Sequence, residues 1–76
     1  MSSLKIKSGD RVRVIELPPY VKTADPMPML RPAKVISLGE EGIVLNTRPA
    51  GYWAIRFTQG AFLLESKYFE VIESAE

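Results

Sequence analysis

Cysteine and histidine are both absent from the chain. Without cysteine no disulfide can staple the fold, so apolar burial has to hold it unaided. Without histidine there is no imidazole base. With both gone, neither a Ser-His-Asp nor a Cys-His apparatus can be assembled. A zinc site would keep only carboxylates among its usual ligands. An oxygen-lined site for a hard cation stays open, yet no EF-hand loop spacing occurs. Charge of one sign is also lacking: ten Lys and Arg face nine Asp and Glu, for a net +1. Proteins that bind nucleic acid without sequence preference are usually more basic. No apolar run exceeds four residues, as in Ala61-Phe62-Leu63-Leu64, whereas a bilayer span needs about 20. The opening residues Met1 to Lys7 lack the apolar stretch of a signal peptide. These absences predict a cytoplasmic, non-enzymatic chain with no cofactor, no metal and no segment inserted in a membrane.

What is present is 76 residues, 46% apolar and 25% charged, an ordinary composition for one small domain. We place that domain at residues 7–73, with flexible ends at 1–6 and 74–76. A chain of this size buries only about 60% of its unfolded surface, so its core has little to spare. Five short segments read as strands. Arg11-Val12-Arg13-Val14-Ile15 alternates polar and apolar residues, the mark of a half-buried strand. Gly42-Ile43-Val44-Leu45 follows a turn-like Gly39-Glu40-Glu41. In Tyr52-Trp53-Ala54-Ile55-Arg56-Phe57, the residues Trp53, Ile55 and Phe57 share one face. Ala61-Phe62-Leu63-Leu64 and Phe69-Glu70-Val71-Ile72 complete the set. Thr58-Gln59-Gly60 reads as a tight hairpin with Gly at a positive φ. Glu65 to Tyr68 reads as one helical or 3₁₀ turn. Five strands in so short a chain predict an all-β, SH3-like barrel.

One stretch breaks the strand pattern. Leu17 to Ser37 holds five of the six prolines and two of the three methionines. Proline lacks a ladder donor and is excluded from central strands, so this reads as a long proline-rich loop between strands one and two. Loops of this length are uncommon in compact domains and usually functional or disordered. The apolar residues here argue for order. Leu17, Val35 and Ile36 are expected to reach the core. Tyr20, Met27, Met29, Leu30 and Arg31 are candidate partner contacts, because Met adapts its shape and Tyr and Arg anchor interfaces. Tyr52 and Phe62 are candidate extensions of that surface. No two prolines stand at PxxP spacing, so the loop is not expected to dock as a polyproline ligand.

Charge is unevenly placed. Lys5, Lys7, Arg11 and Arg13 make the N-terminal end basic, while Glu65, Glu70, Glu73 and Glu76 make the C-terminal end acidic. Cross-strand pairing of the first and last strands accounts for this at under about 1 kcal/mol per pair. A phosphate-binding stripe is the alternative, and it would make the chain a nucleic-acid- or ribosome-associated module. Glu40 and Glu41 are adjacent on a turn and diverge, which suits solvation rather than catalysis.

Leu17 to Pro32, with Gly39-Glu40-Glu41-Gly42, Gly51-Tyr52-Trp53 and Gly60 to Ser66, resembles the pattern of the SipA family. These are small cyanobacterial SH3-like proteins that interact with the sensor histidine kinase NblS. The resemblance runs from Lys7 to Ile72. It implies a five-stranded barrel and a regulator without catalytic activity. Such a regulator would bind the kinase's ATP-binding catalytic region and stimulate autophosphorylation in stress and photosynthesis regulation. The expectation is a monomeric protein-binding adaptor whose partner is a sensor histidine kinase, with no nucleic acid bound.

Overall fold

Period-two patterning becomes strand wherever an apolar face can be buried. The computed structural model describes residues 6–24 and 29–75, with the backbone alone at 31 and 33. Its strands are β1 (Arg11–Val14), β2 (Tyr20–Thr23), β3 (Leu30–Pro32), β4 (Glu41–Arg48), β5 (Tyr52–Phe57), β6 (Gly60–Glu65) and β7 (Phe69–Glu73). They pair antiparallel in one sheet of order β3-β2-β6-β5-β4-β1-β7. Three 3₁₀ turns, Ala33–Val35, Pro49–Gly51 and Ser66–Tyr68, interrupt it. The class is all-β. Among the described residues no helix is long and apolar enough to cross a membrane.

The five strands read from the sequence are all present, but the count of five is too low. The stretch read as a loop contributes β2 and β3, which pair Tyr20 with Pro32, Val21 with Arg31 and Lys22 with Leu30. Proline is barred from central strands only. Pro32 sits in β3, at the outer edge of the sheet, where a missing donor costs no ladder bond. No pairing joins the outer strands β3 and β7, so the sheet is not closed by hydrogen bonds.

The inner face is continuous. Val12 and Val14 of β1, Val21 of β2, Ile55 and Phe57 of β5 and Phe69 of β7 meet in one buried cluster. Trp53 and Val35 pack partly against it, and Ile36 is fully buried. Leu17 does not join them: it is 39% exposed, because it lies between strands rather than on an inward-facing strand position.

Two constraints tighten the β1 side. Gly42, opposite Val12, is buried where β4 crosses β5. A Cβ there would stand 2.7 Å from the Arg56 carbonyl oxygen and 2.8 Å from Ile55 Cγ2. Asp10, only 1% exposed, ties three parts of the chain. Its Oδ2 accepts the Lys7 N–H at 2.9 Å, and its Oδ1 accepts the Ala75 N–H at 2.7 Å. Its own backbone carbonyl accepts the Val44 N–H at 2.9 Å. The N–H groups of Ala75 and then Lys7 hold the carboxyl below the usual aspartate range, against the opposing effect of burial.

Cross-strand charge pairs cover the outside of this region. Arg13 pairs with Glu70, and Arg11 with Glu73 at 3.3 Å and Glu41 at 3.4 Å. All are exposed, so each contributes under about 1 kcal/mol. Glu40 turns away from Glu41 to accept the Ser37 N–H at 3.0 Å.

Two predictions follow from these contacts. Gly42→Ala overpacks the crossing and costs about 1–3 kcal/mol, read as a lower Tm by thermal denaturation. A wild-type Tm would show that the strands yield. Asp10 has a folded pKa below its unfolded value of about 3.9. Its contribution is therefore complete above that value and is lost as pH falls through the folded pKa. Asp10→Asn, which keeps one acceptor oxygen for two N–H groups, should lower Tm at neutral pH and flatten the acid limb of Tm against pH. Parallel limbs for the two proteins would contradict this.

Candidate functional site

The register of the β2–β3 hairpin decides which side chains share the outer face. Directly paired residues lie on the same face of a sheet. Leu30 pairs with Lys22, Lys22 with Leu63 and Leu63 with Ala54. Two residues along the strands, Glu65 pairs with Tyr52 and Tyr52 with Arg48. These two rows stand on the face opposite the core.

The hairpin is fastened where it meets the sheet. The Thr23 N–H donates to the Met29 carbonyl at 2.8 Å, and Thr23 Oγ1 accepts the Met29 N–H at 2.9 Å. The Ala24 N–H donates to the Ala61 carbonyl of β6 at 3.0 Å, and Arg48 Nη2 donates to the Ala24 carbonyl at 3.3 Å. Thr23 is buried, and its hydroxyl serves as the acceptor that closes the hairpin end.

Between hairpin and sheet lies a groove of about 500 Å³, lined by Lys22, Leu30, Arg48, Pro49, Ala50, Tyr52 and Leu63. Its floor is apolar and its charges are two cations. The Lys22 ammonium stands 5.5 Å from the centre of the Tyr52 ring, within cation–π range. Arg48 is oriented by Nε donating to Asn46 Oδ1 at 3.2 Å, besides its bond to Ala24. Neither cation has a carboxylate partner among the described residues. The rim at Pro49–Gly51 places Ala50 at φ 66°, a left-handed conformation unfavourable for a residue with a Cβ. A second groove, of about 200 Å³, shares Tyr52 and Leu63 and continues to Pro18, Pro19, Tyr20, Glu65 and Tyr68. Tyr52 thus stands between two connected depressions.

The candidate contacts fall into four groups. Tyr20, Leu30 and Tyr52 line the grooves, and Leu30 is 60% exposed. Met29 is exposed at the hairpin end. Met27 lies outside the described residues, as does the side chain of Arg31, whose backbone pairs with Val21. Phe62 is corrected: at 5% exposure it belongs to the core, where its ring stands 6.4 Å from that of Phe57. Its neighbour Leu63 takes the opposite face of β6, where it forms part of the floor of both grooves while only 9% exposed. Lys22, Arg48, Pro49, Leu63 and Tyr68 escaped sequence reasoning. Lys22 was legible through its two-residue spacing from Tyr20, had that stretch been read as strand. Arg48 and Pro49 look only like turn formers until the hairpin is placed across from them.

No group of three or more acidic side chains stands close enough to hold a metal among the described residues. In the basic N-terminal stripe, Arg11 and Arg13 are paired with glutamates, while Lys5 lies outside the described residues.

The family model described as Protein CHLORORESPIRATORY REDUCTION 42-like (CRR42-like) matches residues 8–69. Protein CHLORORESPIRATORY REDUCTION 42, chloroplastic, from Arabidopsis thaliana is 34% identical over 73 residues, 95% of this chain and 60% of the relative. The chain therefore spans about 60% of that relative's length. No solved structure matches it. The family match overturns the resemblance to the SipA family. Of the residues that carried the resemblance, Tyr20 to Thr23 and Leu30 to Pro32 form β2 and β3, Asp25 to Pro28 lie outside the described residues, and the rest flank these strands or lie along β4, β5, β6 and their turns. The cytoplasmic expectation is overturned as well, because the relative is a chloroplastic protein.

Thr23→Val keeps the shape of the side chain and removes the acceptor for the Met29 N–H. It should cost about 1–3 kcal/mol and shift the NMR signals of Met29, Leu30 and Lys22, with β1 and β7 unchanged. Signals that move equally throughout the sheet would show that the bond does not act on the hairpin alone.

Proposed function

We propose, on the premise that the chain belongs to the CRR42-like family, that it is a protein-binding module without catalytic activity. Its docking face would be the outer side of β2, β3, β5 and β6. The observation that carries this reading is the groove between hairpin and sheet: an apolar floor, exposed Leu30, and Tyr52 at its centre. Exposed apolar side chains gathered beside aromatic ones favour association with another protein. The absence of cysteine and histidine supports a role by binding rather than by reaction.

The name of the Arabidopsis relative attaches that protein to chlororespiratory reduction in the chloroplast. We carry that process and that compartment to this chain as part of the proposal. The narrower expectation of a sensor histidine kinase partner rested on the resemblance that the family match replaces, and the groove favours no particular protein class by itself. The SH3-like barrel is also part of the proposal. The order of β1 and β4 to β7, with one hairpin inserted after the first strand, supports it.

Because the chain has no cysteine, Leu30→Cys gives a unique attachment point for a photo-crosslinker, and Leu38→Cys gives a control at an exposed residue in a turn. In extracts of the source cells, a distinct partner band should appear with the label at position 30 and be absent or much weaker at 38. Equal bands at both positions, or none at 30, would contradict docking through the groove.

A further inference from the structure

We propose that the groove takes an extended acidic segment of a partner protein, with apolar residues beside a carboxylate. This rests on the docking reading above and adds the chemistry of the occupant. Three features point the same way. The larger groove is apolar along Leu30, Pro49 and Leu63, so the occupant must offer apolar side chains to displace its water. Among the described residues the only charged groups lining it are Lys22 and Arg48, and neither is neutralised by a described carboxylate. Among the described residues Arg11, Arg13 and Lys67 each stand against a glutamate, as Lys22 and Arg48 do not. An unbalanced pair of cations beside apolar surface selects a carboxylate flanked by apolar residues.

The shape favours an extended occupant over a compact one. The two grooves meet at Tyr52 and Leu63 and together run from Pro49 to Pro18 and Tyr68. The unpaired cations are confined to the Pro49 end of this track: Glu65, the one charged group lining the smaller groove among the described residues, is paired with Lys67 at 3.7 Å. The carboxylate of the occupant therefore lies at the Pro49 end, and a neutral residue lies toward Tyr68. Arg48 is already oriented by Asn46 and Ala24, so its remaining N–H groups are presented with little further loss of freedom. Nucleic acid fits less well: two cations make a short phosphate track, and the arginines of β1 are paired with glutamates.

The test is an NMR titration of the ¹⁵N-labelled chain with four probes. One is a short peptide of Asp and Glu interspersed with Leu and Pro. The second replaces its acids by Asn and Gln, the third by Lys, and the fourth is a single-stranded oligothymidine. The acidic peptide should shift Lys22, Leu30, Arg48 and Tyr52 and bind at least about tenfold more tightly than its amide counterpart, as a charge-assisted contact requires. Lys22→Gln should narrow that ratio and Lys22→Arg should retain it, with Tm unchanged in both. Equal binding of the acidic and amide peptides overturns the proposal, as does tighter binding of the lysine peptide. Stronger, steeply salt-dependent shifts with oligothymidine overturn it in favour of nucleic acid. Failure of every probe also overturns it. The crosslink from position 30 would then decide separately whether the groove docks a protein of other chemistry.

Discussion

The pairing of β2 with β6 is the contact on which the rest of the outer face depends. It aligns Lys22 with Leu63 and Thr23 with Phe62, and the Ala24–Ala61 bond extends it by one residue. A shift of one residue would exchange the two faces of the hairpin. Val21 would leave the core, and Lys22 and Leu30 would turn toward it. Burial of Val21 and Phe62 on the inner side therefore fixes the groove on the outer side. Stability and surface chemistry are set by one register.

The remainder of the chain holds that register in place. Strand β6 is itself fixed by β5 and β4, and β4 crosses closely because Gly42 carries no side chain. Asp10 then gathers the two ends of the domain through the Lys7 and Ala75 N–H groups. A domain this small, without disulfides, gains from each local tie because no large core compensates for a loose one. The arrangement also leaves the two sides electrostatically different. Around β1 and β7 the cations are paired with glutamates, whereas Lys22 and Arg48 face the groove without one.

The β1 to β7 side and the core were largely legible in the sequence. Alternation in Arg11 to Val14 and in Trp53, Ile55 and Phe57 marks inward faces, and Gly60 does take a positive φ, 138°. Charge asymmetry between the ends anticipated the pairing of Arg11 and Arg13 with glutamates. The groove was legible only in part. Tyr20, Leu30 and Tyr52 were singled out, but the partners that make them a site were not, because prolines concealed an edge hairpin. Phe62 was misplaced because Ala61-Phe62-Leu63-Leu64 is apolar on both faces, and such a run does not show which side points inward. The family resemblance failed for a related reason. Turn residues report local backbone needs, and those needs recur in unrelated chains.

The central claim is that the hairpin is a fixed wall of the docking face and not a loose appendage. Native-state amide exchange of the unmodified chain measures this most directly. The account predicts that the Thr23, Ala24 and Met29 amides are protected together with those of β5 and β6. Exchange of these three at unprotected rates, while β5 and β6 stay protected, would leave the groove without its second wall and contradict the account.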